Sequence, residues 1–271
     1  MDRQTRQSAA QALAAGQRAV VVEVLEARGS APRAAGTRML VSAEQAVGTI
    51  GGGHLEWKAM HSARALLGAN EPAPLSEHFA LGPTLGQCCG GAVTLGYQLL
   101  NAEVLARWPQ PGALFHLQLY GAGHVGRAIA TLLATLDVEV DWIDEREQEF
   151  PGATTLGAPW PVHIRRLCVD AVEAEVHTAP AGAFYLVLTH QHDLDQRITE
   201  AILRRGDFGF LGLIGSKTKR QRFIRRFEQL GIDDGAIARM TCPIGIAGID
   251  GKQPEVLAMA VVAQLLRAAA G

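Results

Sequence analysis

Little in this chain points outward to a nucleic acid, a membrane or an oxidising compartment. Its 25 Lys and Arg nearly balance 27 Asp and Glu, and a formal charge of −2 over 271 residues sets up no field that would draw either partner. No nucleic-acid and no membrane partner is therefore expected. The first twenty residues, MDRQTRQSAAQALAAGQRAV, hold no apolar core segment and no small-residue cleavage pattern, so no signal peptide is expected. The most apolar C-terminal stretch, Val256 to Leu266, is too short to span a bilayer. Cysteines are few: Cys88, Cys89, Cys168 and Cys242, without a secretory signal, imply reduced thiols and a cytoplasmic location. Internal repeats and low-complexity segments are missing. What remains is 48% hydrophobic and 19% charged, the composition of a globular protein with ample core.

The length favours two domains. A boundary falls in NAEVLARWPQPG at 101–112, where two prolines and a glycine separate apolar runs, giving domains at 1–105 and 112–271. In the first, a helix at Arg3–Ala15 precedes a strand at Ala19–Ala27, a loop RGSAPRAAG at 28–36 and a strand pair at Thr37–Val41 and Ala46–Ile50. A helix at Leu55–Leu67 and a strand at Ala92–Leu100 follow. The second half alternates strand and helix, which predicts βαβ units and a doubly wound parallel sheet. The fold class is α/β throughout.

One motif fixes the second domain more closely. GAGHVG at 121–126 fits G-x-G-x-x-G between an apolar strand and a helix. Gly121 would make the tight turn, Gly123 would admit a pyrophosphate, and Gly126 would let helix and strand pack closely. Asp144 closes the next strand, where an acidic residue meets a ribose hydroxyl in dinucleotide-binding proteins. The fingerprint specifies a Rossmann fold. It does not by itself require NAD(P), since one fold hosts many functions.

Other segments carry candidate chemistry. GQCCGG at 86–91 sets Cys88 and Cys89 side by side between glycines, on a tight loop suited to soft metals, sulfur or redox exchange; the alternative is a pair of small buried residues. GTIGGGHLE at 48–56 offers the backbone N–H groups of Gly51, Gly52 and Gly53 to an anion, flanked by His54 and Glu56, or is a plain turn. Arg33, between Arg28 and Arg38, could grip a phosphate or simply be solvated. THQHDLD at 189–195 ends a strand, so His190, His192, Asp193 and Asp195 could face a substrate, relay protons or bind a metal. GLIGSKTKRQRFIRR at 212–226 is the most basic segment; Ser216 is a natural helix N-cap, with Lys217 beside it at a possible phosphate site. Cys242 precedes Pro243 on a further glycine-rich loop and is either a third thiol for the cleft or a buried residue.

Taken together, RGSAPRAAGTRMLV (28–41), GTIGGGHLE (48–56), GQCCGG (86–91), LYGAGHVGRAIA (119–130), LTHQHDLD (188–195), GLIGSKTKR (212–220) and CPIGI (242–246) with PEVLAMAV (254–261) resemble the XdhC/CoxI family of xanthine dehydrogenase accessory proteins. The resemblance implies an N-terminal XdhC/CoxI domain and a C-terminal Rossmann-like domain. It implies a chaperone that binds molybdenum cofactor (molybdopterin), supports its sulfuration and delivers it to apo-xanthine dehydrogenase, rather than a stand-alone enzyme. Its implied partners are the dehydrogenase's molybdenum subunit and a cysteine desulfurase, and its implied assembly is a homodimer. Cys88 and Cys89 then become molybdenum or sulfur contacts. Gly51–Gly53, Glu56, Arg33, the 121–126 loop, Asp144, His190, His192, Ser216, Lys217 and Cys242 become cofactor-binding candidates. An NAD(P)-dependent oxidoreductase with His190 or His192 as acid/base is the competing expectation from the residues alone.

Overall fold

The computed structural model describes residues 2–69, 74–81, 90–109, 112–249 and 251–271. It contains two compact units, Met1–Gly112 and Ala113–Gly271.

The first unit is built on an antiparallel sheet. Its strands are β1 (Ala19–Arg28), β2 (Arg38–Ser42), β3 (Ala46–Gly48), β4 (Leu75–Ala80) and β5 (Ala92–Leu99), in the order β3-β2-β1-β5-β4. The central strand β1 reads AVVVEV because both of its faces are covered. Val20, Val22 and Val24 pack with Leu55, Ala59 and Ala63 of α2 (Gly53–Gly68). Ala19 and Val21, on the opposite face, pack with Ala9 and Ala12 of α1 (Asp2–Ala14) and with Trp108. Successive side chains on a strand point to opposite faces, so a continuous apolar run serves two layers. Each such fully buried aliphatic side chain contributes about 1.5–3 kcal/mol. At position 23 the inner pattern breaks for a cross-strand pair: Glu23 opposes Arg38 in register and accepts from its guanidinium at 2.6 Å.

Two elements of this unit escape the sequence pattern. β4 reads LSEHFA, a mostly exposed edge strand whose polar residues give no apolar alternation. α3 (Ala102–Arg107) lies inside the stretch taken from sequence as a boundary; six residues are too few for a helical period, and it is held by Asn101 Oδ1, which accepts the Val104 N–H at 2.8 Å.

The second unit is a doubly wound α/β layer. Its strands are β6 (His116–Tyr120), β7 (Glu139–Asp144), β8 (Ile164–Cys168), β9 (Phe184–Val187), β10 (Phe210–Leu213) and β11 (Met240–Thr241). They form one six-stranded parallel sheet in the order β11-β10-β9-β6-β7-β8. On one face lie α4 (His124–Leu133) and α8 (Pro254–Ala269); on the other lie α5 (His192–Arg205), α6 (Lys217–Gln229) and the short α7 (Asp234–Ala238). Short 3₁₀-helices, Glu147–Glu149 and Val172–Thr178, stand in place of α-helices between β7 and β8 and between β8 and β9. In the β7–β8 connection Phe150 and Trp160 meet Trp142 of β7 edge-on at ring distances of 5.2 Å. No helix among the described residues is long and apolar enough to cross a membrane.

Candidate functional site

The strand order places one crevice. From β6 the chain winds through β7 to β8 on one side, and β9, β10 and β11 extend on the other, so β6 and β9 flank the point where the winding reverses. At such a point the crossover helices leave in opposite directions and a crevice opens beyond the strand C-termini. Here it has two lobes, of about 380 and 220 Å³, which share Thr189, His190 and Ile214. The larger is lined by Gly123, His124, Val125, Arg146 and Glu149, the smaller by Gln191, His192, Asp195, Ser216 and Lys219.

The three glycines of the fingerprint divide the work as the motif predicts. A side chain on Gly126 would overlap the carbonyl of Gly121, and one on Gly121 would strike the Leu188 carbonyl of the β9 end, with φ +117° against it as well. Both are packing glycines. Gly123 differs: a Cβ there meets nothing within 4 Å and would project into open space at the cleft. Gly123 is the N-cap of α4 and carries no capping side chain, and Gln191 likewise leaves α5 uncapped. Unpaired N–H groups at a helix start attract anions. α5 carries Asp193 and Asp195 in its first turn, whereas α4 carries no acid there. The positive end of α4, beside His124 and Arg146, is therefore the better seat for an anion.

Asp144 corrects the sequence expectation. Its carboxylate is buried and its acceptor positions are filled from within the chain: the Ala122 N–H donates to Oδ2 at 2.6 Å, the Arg146 N–H donates to Oδ1 at 3.0 Å, and the Arg146 guanidinium donates to both oxygens at 2.9 Å. Asp144 clamps the glycine loop, and Arg146 rather than Asp144 lines the cleft. Burial alone would raise its pKa, but the hydrogen bonds from Arg146 and Ala122 outweigh it and hold the carboxyl below the usual aspartate range. The same balance holds for Asp141, buried but paired with His116 at 2.9 Å and Arg165 at 2.5 Å. A carboxylate with a depressed folded pKa adds stability above its unfolded pKa, about 3.9, and loses it as pH falls through the folded value. Thermal melts of the protein should thus hold level from about pH 7 to 5 and fall steeply below about pH 4, and Asp144→Asn should flatten that fall. A melt with the same acid slope in the variant contradicts the assignment.

The THQHDLD segment separates rather than clusters. Asp195 turns into the core, where Oδ1 accepts the Thr189 N–H at 2.9 Å and Thr189 Oγ1 at 2.7 Å. Its Oδ2 pairs with Lys219 Nζ at 2.5 Å, and the same Nζ donates to the Ile214 carbonyl at 2.9 Å. Asp193 is exposed, His192 sits in the first turn of α5, and His190 faces Glu145 at 3.7 Å. Among the described residues no three His, Cys, Asp or Glu side chains gather as a metal site.

At the neighbouring helix, Ser216 caps α6 by accepting the Lys219 N–H at 3.2 Å and lines the cleft. Lys217 does not line it; the lysine under the cleft is Lys219, which sequence reasoning overlooked. The signal was present: Lys219 shares one helical face with Phe223 and Phe227, and Asp195 shares one with Ile198, Thr199 and Ile202, so each is a charge on an apolar stripe. Cys242 is buried, with its thiol 3.8 Å from the Ser216 carbonyl, and is not part of the cleft lining. Burial pushes that thiol up in pKa, against the pull of Lys219 and Arg220, so it is a packing residue rather than a third reactive thiol.

In the first unit the glycine nest at 50–52 is already filled. Glu56 Oε2 accepts Thr49 Oγ1 at 2.6 Å, the Gly52 N–H at 3.0 Å and the Ile50 N–H at 3.3 Å, while the Gly51 N–H donates to Thr49 Oγ1 at 3.1 Å. Glu56 and Thr49 thus engage the N–H groups of Ile50, Gly51 and Gly52 within the chain, correcting the expectation that Gly51 and Gly52 offer theirs to an external anion. The loops themselves converge. A Cβ on Gly51 would come within 2.5 Å of Pro32, and one on Gly91 would collide with the carbonyls of Arg28 and Ser30. The 28–36 loop, which carries exposed Arg33, therefore packs against both the 48–53 loop and the Gly90–Gly91 end of the cysteine segment. Cys88 and Cys89 lie outside the described residues.

Comparison with known proteins fits this architecture. Residues 117–265 match the XdhC Rossmann domain, and residues 12–79 match the XdhC and CoxI family. The uncharacterized protein YqeB of Escherichia coli (strain K12) is 31% identical over 258 residues, covering 91% of this chain and 43% of that protein, so the chain spans less than half of its length. A crystal structure of a xanthine dehydrogenase from Bacillus halodurans shares the fold with a TM-score of 0.76 at 18% identity, covering 98% of this chain and 95% of that one.

Proposed function

Because the chain belongs to the XdhC and CoxI family, we propose that it is an accessory factor for a molybdenum hydroxylase of the xanthine dehydrogenase type, binding molybdenum cofactor as cargo. The observation that carries this proposal is the crevice beyond β6 and β9. An uncapped α4 start, the open space over Gly123, His124 and Arg146 together suit a phosphate on a flat heterocycle. The cargo supplies a terminal phosphate, a ring rich in hydrogen-bonding groups and a dithiolene-bound metal. In this proposal the α4 N–H groups and Arg146 hold the phosphate. His190 and Thr189 line the path of the ring, and Ser216 lies at the rim of the smaller lobe.

The soft chemistry falls to Cys88 and Cys89, as contacts for molybdenum or for sulfur delivered by a cysteine desulfurase. Sulfuration, delivery to the apo-dehydrogenase's molybdenum subunit, and homodimer assembly belong to the same proposal. The oxidoreductase alternative is disfavoured by Asp144: a ribose diol needs an acceptor there, and that carboxylate is already shared by Arg146 and Ala122.

The test is a cargo measurement. Protein produced in a host that makes molybdenum cofactor should carry a pterin, seen by fluorescence after oxidation. Cys88→Ala or Cys89→Ala should cut molybdenum retention or sulfur transfer by about ten-fold, the scale of one lost charged contact. Unchanged retention and transfer in both variants sinks the cysteine role. Absence of pterin together with micromolar NAD(P) binding and hydride turnover overturns the cofactor proposal itself.

A further inference from the structure

The basic face of α6 takes no part in the crevice. Arg222, Arg225 and Arg226 are exposed along one flank of the helix with Gln221 and Gln229, and Gln196 of α5 closes the other side of a shallow groove of about 420 Å³. Six arginines of this unit sit against carboxylates: Arg127 on Glu149, Arg146 on Asp144, Arg165 on Asp141, Arg197 on Glu173, Arg204 on Glu200 and Arg205 on Asp207. Arg222, Arg225 and Arg226 have no such partner among the described residues and lie together on one helix flank. Among the described residues no ion pair or hydrogen bond engages them, and Arg222 rests only over the Phe223 ring at 5.9 Å. Their spacing of three and four residues puts like charges on adjacent turns, which destabilises the helix. Among the described residues no carboxylate pairs with them to offset that repulsion.

The lining decides what could. It holds three guanidiniums, three carboxamides and a threonine, and no carboxylate. No aromatic side chain lines it, so nucleobases have no platform to stack on. Each glutamine presents both a donor and an acceptor, matching the two sides of a peptide unit, whereas a phosphodiester offers acceptors alone. From Thr218 to Gln229 the groove runs about 16 Å along the helix, room for about five extended residues and far longer than one phosphate. We propose that this groove docks a carboxylate-rich extended segment of a partner protein, the guanidiniums gripping its carboxylates in bidentate fashion and the glutamines reading its backbone. The proposal stands apart from the cofactor reading, since Arg222, Arg225 and Arg226 line neither lobe of the crevice.

A fluorescein-labelled peptide alternating glutamate and serine serves as probe, with its glutamine counterpart, inorganic phosphate and a short single-stranded DNA as competitors. The glutamate peptide should bind the full-length protein, weaken as salt rises, and lose about ten-fold or more in affinity to the R222Q/R225Q/R226Q variant. A variant with the same charge change at exposed arginines elsewhere, R18Q/R64Q/R267Q, should bind as the parent does. The groove variant should melt at or above the parent temperature, because it relieves repulsion and breaks no ion pair; R225Q alone repeats the test with one substitution. Equal loss in both triple variants, equal binding of the glutamine peptide, or displacement by DNA or phosphate at lower concentration than by unlabelled glutamate peptide would each overturn the proposal.

Discussion

Lys219→Met is expected to destabilise the C-terminal unit by about 3–5 kcal/mol, lowering its melting temperature by about 10 °C. The cause is the carboxylate left behind. The side chains of Lys219 and Asp195 are 8% and 2% exposed, so water cannot replace the lysine. Asp195 would retain only Thr189 as a donor. Losing the ammonium also strands the Ile214 carbonyl and unties α6 from the end of β10. The double variant K219M/D195N should recover much of the loss, because a neutral amide removes the unpaired charge while its oxygen still accepts from Thr189. Added salt should not change the effect, since a buried pair is poorly screened. Thermal denaturation of the parent, the single variant and the double variant decides it; a single variant melting within about 2 °C of the parent refutes a structural role for the pair.

The second large effect separates packing from binding within one motif. Gly126→Ala places a methyl group on the Gly121 carbonyl, which is backbone and cannot swing aside, and within 3.3 Å of the Leu188 Cδ1 methyl. Helix α4 would have to lift from the sheet, at about 1–3 kcal/mol or more, so a fall in melting temperature of about 5 °C is expected. Gly123→Ala should behave differently. Its φ of −68° suits alanine and its surroundings are open, so the melt should shift little. The new methyl group instead occupies the approach to the α4 N–H groups, and retention of a phosphorylated cargo should fall by about ten-fold. Paired melts and pterin assays on the two variants give the answer. Cargo retention unchanged in Gly123→Ala removes the α4 start from the site, whatever Gly126→Ala does.

The sequence was most legible where a local pattern has one physical meaning. Strand–GAGHVG–helix specifies a close turn and close packing, and Gly121 and Gly126 make those contacts. Alternating strands and helices specify a parallel doubly wound sheet, which is the observed topology. Legibility failed for short or polar elements, β4 and α3, whose residues carry no periodic apolar signal. It also failed for roles that depend on a partner distant in sequence. Glu56 reads as a ligand-facing acid until the Thr49–Gly52 turn wraps its carboxylate. Asp144 reads as a ribose acceptor until Arg146 folds back on it.

Fold class, two-unit organisation and the glycine loop thus follow from the amino-acid sequence alone, since each rests on propensity and spacing along the chain; the family resemblance rests instead on the likeness of whole motifs. Which polar groups stay available could be decided only in three dimensions. A buried carboxylate takes the nearest donors, and those donors come from loops and helices that folding brings together. That competition engages the N–H groups of Gly51 and Gly52, removes Asp144 and Asp195 from solvent, and leaves Gly123 and the α6 arginines open.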